Sequence, residues 1–226
     1  MRAVPLIILA TAALFIPPAY AQEKPSQKNS ASCGPLADQT LHCSRFAFTY
    51  KVPFGWVDRT AEMNADTSSP DSNSQNESSA ANKNIQQSPS STGSETLLAV
   101  FERPPQAAGE TINSAVVIAA EPLANYHGIK TAGEYFGAIN ELAGQRGFKA
   151  ASDPYEFAIG AKHLVRGDFS KQRNELTMYQ TSLAMIEKEY IVSFTFIGGS
   201  EDEVNDLIEN LSFGSAPKRR PPQEKK

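Results

Sequence analysis

LTMYQTSLAMIEKEYIVSFTFIGGSEDEVNDLIENL, residues 176–211, is the stretch whose reading decides the fold. In its middle, Tyr190, Val192, Phe194 and Phe196 fall on one face of an extended chain. Ile191, Ser193, Thr195 and Ile197 fall on the other. Alternation with period two marks a strand, and large apolar residues on both faces mark a central strand covered on both sides. Residues 176–187 read as its hairpin partner, with the turn near Glu187-Lys188-Glu189. Gly198-Gly199 ends the second strand. Ser200 and Glu203 then form a capping-box pattern, and Val204, Leu207, Ile208 and Leu211 make a helical stripe.

The same period analysis extends toward the N-terminus. Residues 132–146 are expected to be an amphipathic helix: Thr131 and Glu134 form a capping box, Ala132, Tyr135, Phe136, Ile139, Leu142 and Ala143 share one stripe, and Gly147 stops it. Residues 155–159 and 162–171 read as strands, the second with a bulge at Gly167. Residues 96–103 and 114–121 read as strands stopped by Pro104-Pro105 and Pro122. Residues 46–52 alternate as a half-buried strand, and Pro53-Phe54-Gly55-Trp56 turns the chain so that 56–59 pairs back on it. Strands in succession, then helix, then hairpin, then helix predict an α+β fold. Its antiparallel sheet of about six strands is sandwiched by helices.

The remaining segments are read from composition. Residues 1–21 carry Arg2, an apolar run of about eleven residues, Pro17-Pro18 and Ala19-Tyr20-Ala21. That is the pattern of a secretory signal peptide cleaved between Ala21 and Gln22. The run is far short of the ~20 residues that span a bilayer. Gln22 stands where a lipoprotein would have Cys, so the expected product is secreted or periplasmic and soluble. Residues 22–32 are polar and read as a disordered linker. Residues 64–95 are dominated by Ser, Asn, Gln, Asp and Thr, with Ile85 the only large apolar side chain, and read as a disordered insertion. Residues 33–214, interrupted by that insertion, form one domain, and 215–226 form a disordered basic tail.

The formal charge is −4, although the last nine residues carry five positive charges against one negative. The body is therefore acidic, which opposes nucleic-acid binding by the folded part. Cys33 and Cys43 read as a disulfide in an oxidising compartment, worth roughly 2–3 kcal/mol through loop closure. A metal reading would recruit His42, but structural zinc takes four ligands and His127 and His163 stand alone in sequence.

The residues Phe48-Thr49-Tyr50-Lys51-Val52-Pro53-Phe54-Gly55-Trp56 resemble the opening strand and Pro-x-Gly-Trp turn of the PsbP-like superfamily. That group includes photosystem II PsbP subunits, a Ran-binding nuclear-transport group and bacterial envelope lipoproteins. The closing hairpin, 178–197, and the helix 201–211 are similar too. The resemblance covers 46–61 and 96–214, and the insertion and the cysteine pair depart from it. It implies an α/β/α sandwich used as a binding or accessory module, with no shared catalytic residues to carry over.

No catalytic constellation is found in the sequence. There is no Gly-x-Ser-x-Gly elbow, no P-loop and no His-Glu-x-x-His helix. The glycine-rich junction 197–200 precedes a helix, but Glu201, Asp202 and Glu203 fill its first turn and would repel phosphate. Glu187 and Glu189 read as a solvated turn. His163 sits near Arg166 and Asp168 on one strand, and either an exposed strand face or a His–Asp site explains it. Trp56 reads as a core anchor or as a pocket wall.

The resulting expectation is an exported, non-enzymatic accessory module of the cell envelope without a cofactor, binding an envelope protein or small ligand. Trp56, Tyr135 and His163 are its candidate binding residues. The rival readings are a small-molecule or lipid carrier with a pocket between helix 132–146 and the sheet near Trp56, and a small envelope hydrolase using His163 or His127.

Overall fold

The computed structural model describes residues 33–68, 93–104, 106–107 and 109–214. The expected signal peptide, the linker, the tail and all but the ends of the insertion lie outside the described residues. The fold is α+β, built on two antiparallel sheets. A three-stranded sheet has the order β1 (Thr40–Cys43), β2 (Phe48–Lys51), β11 (Leu211–Phe213). The larger, eight-stranded sheet runs β3 (Val57–Asp58), β4 (Glu95–Phe101), β5 (Ala115–Pro122), β10 (Tyr190–Gly198), β9 (Leu176–Glu187), β8 (Lys162–Arg173), β6 (Lys149–Ala150), with β7 (Tyr155–Ile159) also on β8. Among the described residues, three α-helices complete it: α1 (Thr60–Ser68), α2 (Ala132–Gln145) and α3 (Glu201–Glu209).

The hairpin that opened the sequence reading is β9–β10, with the expected bounds, and Tyr190 faces Glu187 across the turn. Lys188 and Glu189 both have positive φ, as a two-residue turn with the twist of the flanking strands requires. β10 is central, between β5 and β9, and both of its faces are covered. Val192, Phe194 and Phe196 pack toward Phe46, Phe48, Tyr50, Val204, Leu207 and Leu211. Phe48 meets Phe194 edge-on at 5.2 Å, and Tyr50 lies 6.2 Å from Phe196. On the opposite face, Ile191 packs with Tyr135 and Phe136 of α2, and Ile197 with Ala143 of α2 and Phe169.

The structure revises several expectations. The sheet has eight strands rather than about six, and the layer opposite α2 is not helical alone, because the small sheet shares it with α3. The segment after Trp56 pairs with β4, through Val57–Phe101 and Asp58–Val100, and not back on β2. Residues 64–68, read as the start of the polar insertion, continue α1. Leu211 is buried as expected from its stripe, but as a strand residue opposite Tyr50 rather than as the end of α3. The Thr131–Glu134 capping box is present in full. At Ser200 only half of one forms: its hydroxyl accepts from the Glu203 amide, while the Glu203 carboxylate accepts from the Gly199 amide and from Ser114.

Gly167 is not a bulge. β8 and β9 pair without a register shift through Gly167–Ser182, and the bulge lies in β4 between Thr96 and Leu98. A Cβ at Gly167 would come within 2.5 Å of the Phe136 ring, so glycine is there to let α2 approach the sheet.

Candidate functional site

The chain between β2 and β3 makes a tight turn. The Trp56 amide donates to the Pro53 carbonyl at 3.4 Å, and Gly55 takes φ +81°, a left-handed value that glycine adopts without Cβ strain. This geometry fixes two aromatic rings in different environments. Trp56 turns inward and packs against the core between the sheets. Phe54 is left 89% exposed at the apex. Sequence reasoning singled out Trp56 and passed over Phe54, although both lie in the motif that carries the resemblance. The signal was the turn itself, which puts neighbouring side chains on opposite sides.

The structure does not bring Trp56, Tyr135 and His163 together. Trp56 belongs to the cluster on the small-sheet side, and Tyr135 belongs to the cluster under α2. His163 is an exposed residue of β8. Strand alternation puts it on the face opposite Leu164, Arg166 and Asp168, so its expected partners point away from it. His127 is exposed in the loop before α2. His42 shares a hydrogen bond of 3.2 Å with Thr49. Cys33 and Cys43 form the disulfide. Among the described residues, no three His, Cys, Asp or Glu side chains are grouped to hold a metal ion.

Tyr135 lies in a polar cluster that the sequence did not reveal. Glu121 on β5 is only 5% exposed, and its two carboxylate oxygens accept separately from the Tyr135 hydroxyl at 3.0 Å and from the Tyr126 hydroxyl. The two rings meet edge-on at 5.2 Å. Burial first, and then the Glu121 carboxylate, raise both phenols above their ordinary range. A buried carboxylate satisfied on both oxygens, by the buried Tyr135 and the half-buried Tyr126, is a structural clasp, holding the 123–131 connection and α2 on the sheet.

A second network lies on the other face. The Asp168 carboxylate accepts from Arg166 Nε at 2.9 Å, Thr181 Oγ1 at 2.6 Å and Tyr155 Oη at 2.9 Å. Arg166 donates onward to Asn205 of α3 at 3.0 Å and stacks over Phe157 at 5.2 Å. Glu187, read as a solvated carboxylate, pairs with Lys162 at 2.6 Å.

One cleft, of about 420 Å³, is lined by Leu36, Leu41, Leu97 and Leu98 with Asp58, Thr60, Asn64 and Thr96 at its rim. Much of that rim serves the fold. Asp58 Oδ1 accepts from the Thr60 amide at 2.9 Å and from its hydroxyl at 2.6 Å. Asn64 exchanges two hydrogen bonds with the Thr96 backbone.

With the fold and these surfaces described, the chain can be placed beside known proteins. No protein-family model and no curated protein matches its sequence. Solved structures do match its fold. CyanoP, the PsbP of Synechocystis sp. PCC 6803, aligns over 80% of this chain and 95% of its own at 11% identity and TM-score 0.42. The Ran-binding protein Mog1p of Saccharomyces cerevisiae aligns over 78% and 84% at 10% identity and TM-score 0.39. LpqN of Mycobacterium tuberculosis, involved in cell envelope biogenesis, aligns over 74% and 83% at 10% identity and TM-score 0.35. These likenesses are distant, and the fold class rests on the chain's own strand order and registers.

Proposed function

We propose that this chain is an exported, non-catalytic accessory module that works by binding a partner protein, with Phe54 as the anchor of its contact surface. The observation that carries the reading is the exposure of Phe54 at the apex of the turn that the Trp56–Pro53 hydrogen bond closes. Fully burying a phenylalanine side chain releases about 1.5–3 kcal/mol, and little mobility remains to be lost when the turn is already fixed. Large aromatics that enter a partner's pocket are the usual energetic centres of protein interfaces. The disulfide fits an oxidising compartment, in keeping with the export signal read at residues 1–21.

The test is in vivo crosslinking of the exported chain, comparing wild type with Phe54→Ser. The expected result is one dominant crosslinked protein that disappears from the variant while its melting temperature is unchanged. Identical capture by the two chains refutes Phe54 as anchor, and turnover of a hydrolase substrate panel by the purified chain refutes the non-catalytic reading.

The carrier reading expected a pocket between helix 132–146 and the sheet near Trp56, but Trp56 lies on the other side of the large sheet from that helix, so the reading has to draw instead on the cleft beside Leu97 and Leu98. Its rim donors and acceptors are largely used by the fold, so it ranks second. Saturable quenching of Trp56 fluorescence by a lipid or small amphiphile would reverse that order.

A further inference from the structure

β7 leaves one side of its backbone open. It joins β8 through the two-residue turn Gly160-Ala161, with Gly160 at φ +60° and Ile159 facing Lys162. Residues that flank such a turn aim their N–H and C=O at one another, and the direction alternates from there along the strand. The backbone groups of Ile159, Phe157 and Tyr155 therefore go to Lys162, Leu164 and Arg166, and those of Glu156 and Ala158 point away from β8. Among the described residues, no strand, helix or side chain hydrogen-bonds to those outward groups. β6 takes the same side of β8 further on, at Phe169 and Ser170, and leaves β7 uncovered.

The two faces of β7 differ in chemistry. Tyr155, Phe157 and Ile159 share the face of the small sheet and α3, where Tyr155 is exposed and the other two are half-buried. Glu156 and Ala158 share the opposite face, level with Val165 and His163 of β8. α2 packs over β6, β8 and β9 on that face, and Glu156, Ala158 and His163 are left exposed.

We infer that β7 is a self-association edge, and that its occupant is β7 of a second copy of this chain, antiparallel about a two-fold axis through Phe157. Open N–H and C=O groups select an extended backbone, and the register follows from which groups are open. With Phe157 opposite Phe157, Glu156 of each copy faces Ala158 of the other, and the outward groups exchange hydrogen bonds at both positions. A shift of one residue sets them against Phe157, whose own groups are taken by β8. A shift of two sets either Glu156 against Glu156 and Ala158 against Pro154, which has no N–H, or Glu156 against the turn at Gly160. The side chains agree with the first register. Phe157 meets Phe157 in the close, non-hydrogen-bonded pair, with Tyr155 opposite Ile159 on either side. On the other face Glu156 meets the small Ala158, with His163 next in the row, so no acid faces an acid. β3 and β7 lie at opposite edges of the large sheet, so the dimer keeps both Phe54 turns free and presents them as a bivalent surface.

The experiment is sedimentation equilibrium of the purified chain over a concentration series, with amide chemical shifts followed over the same series. The expected result is a monomer–dimer equilibrium with concentration-dependent shifts centred on Glu156 to Ala158. Ala158→Pro removes an outward N–H at a position where an edge strand accepts proline, and Ala158→Glu sets an acid against Glu156 of the second copy. Each is expected to raise the dimer Kd about tenfold or more while the melting temperature of dilute samples is unchanged, and Ala158→Glu serves if Ala158→Pro unfolds. Adding Glu156→Lys to Ala158→Glu is expected to restore the dimer, because opposite charges then face each other at both positions. A chain that stays monomeric at millimolar concentration, a dimer indifferent to both substitutions, or a Lys–Glu pair that restores nothing overturns the inference. So does a monomeric chain whose crosslinked partner is lost in Ala158→Pro, which assigns the edge to a foreign strand. Phe54→Ser separates the two proposals: it is expected to lose the crosslinked partner yet dimerise as wild type does.

Discussion

Gly167 and Phe136 show how much a single residue decides. With a Cβ position 2.5 Å from the Phe136 ring, Gly167→Ala forces α2 away from β8. Overpacking of this kind costs about 1–3 kcal/mol, and Phe136→Leu in the same chain should recover part of the loss. Urea unfolding of the two single variants and the double variant measures this; strict additivity would show that the contact is not the cause. Glu121 gives a second residue-scale prediction. Tyr135→Phe leaves one buried carboxylate oxygen without its donor and should cost about 1–3 kcal/mol. The same cluster sets a pH dependence. Both phenols are raised above the ordinary value near 10, chiefly by burial. The unfolded chain therefore ionises first, and their stabilising contribution is complete below pH 10 and falls as the pH rises beyond it. Urea midpoints measured from pH 9 to 11 should drop for wild type and drop less for the Tyr126→Phe, Tyr135→Phe double variant. Parallel slopes would contradict the assignment.

At the scale of elements, the polar network around Asp168 ties four of them together. Its carboxylate receives Arg166 of β8, Thr181 of β9 and Tyr155 of β7, and Arg166 reaches Asn205 of α3. Asp168→Ala leaves a largely buried guanidinium without its anion and should cost about 3 kcal/mol. Hydrogen exchange should show β7 and α3 loosened while β5 and β10 remain protected; uniform loosening would mean that the network does not hold those elements specifically. Elements were legible in the sequence in proportion to their apolar periodicity. β9, β10 and α2 carry long, regular patterns and appear where the pattern puts them. β1, β6 and β11 are four residues or fewer, too short for a period to register. α1 escaped because its placement comes from Asp58, Thr60 and Asn64 hydrogen bonds rather than from an apolar stripe. Asn64 read naturally as the first residue of a polar insertion.

At the scale of the whole molecule, the disulfide holds the chain ahead of β1 to the last residue of that strand. Cys33→Ser with Cys43→Ser should lower stability by roughly 2–3 kcal/mol through loop entropy, and added reductant should then have no further effect. Thermal unfolding with and without reductant checks this, and a remaining sensitivity to reductant would refute it.

Much of the architecture was already present in the linear pattern. The α+β class, the central hairpin, the capping of α2 and the cysteine pair follow from local chemistry: period two or 3.6, a hydroxyl three residues before a carboxylate, and two cysteines ten positions apart. Tertiary structure alone decided what faces what. It put Trp56 and Tyr135 on opposite sides of the large sheet, turned His163 away from Asp168, exposed Phe54 and joined Asn64 to Thr96. Those relations depend on sheet order and layer stacking, which arise from contacts between residues far apart in the chain and leave no periodic trace in the sequence.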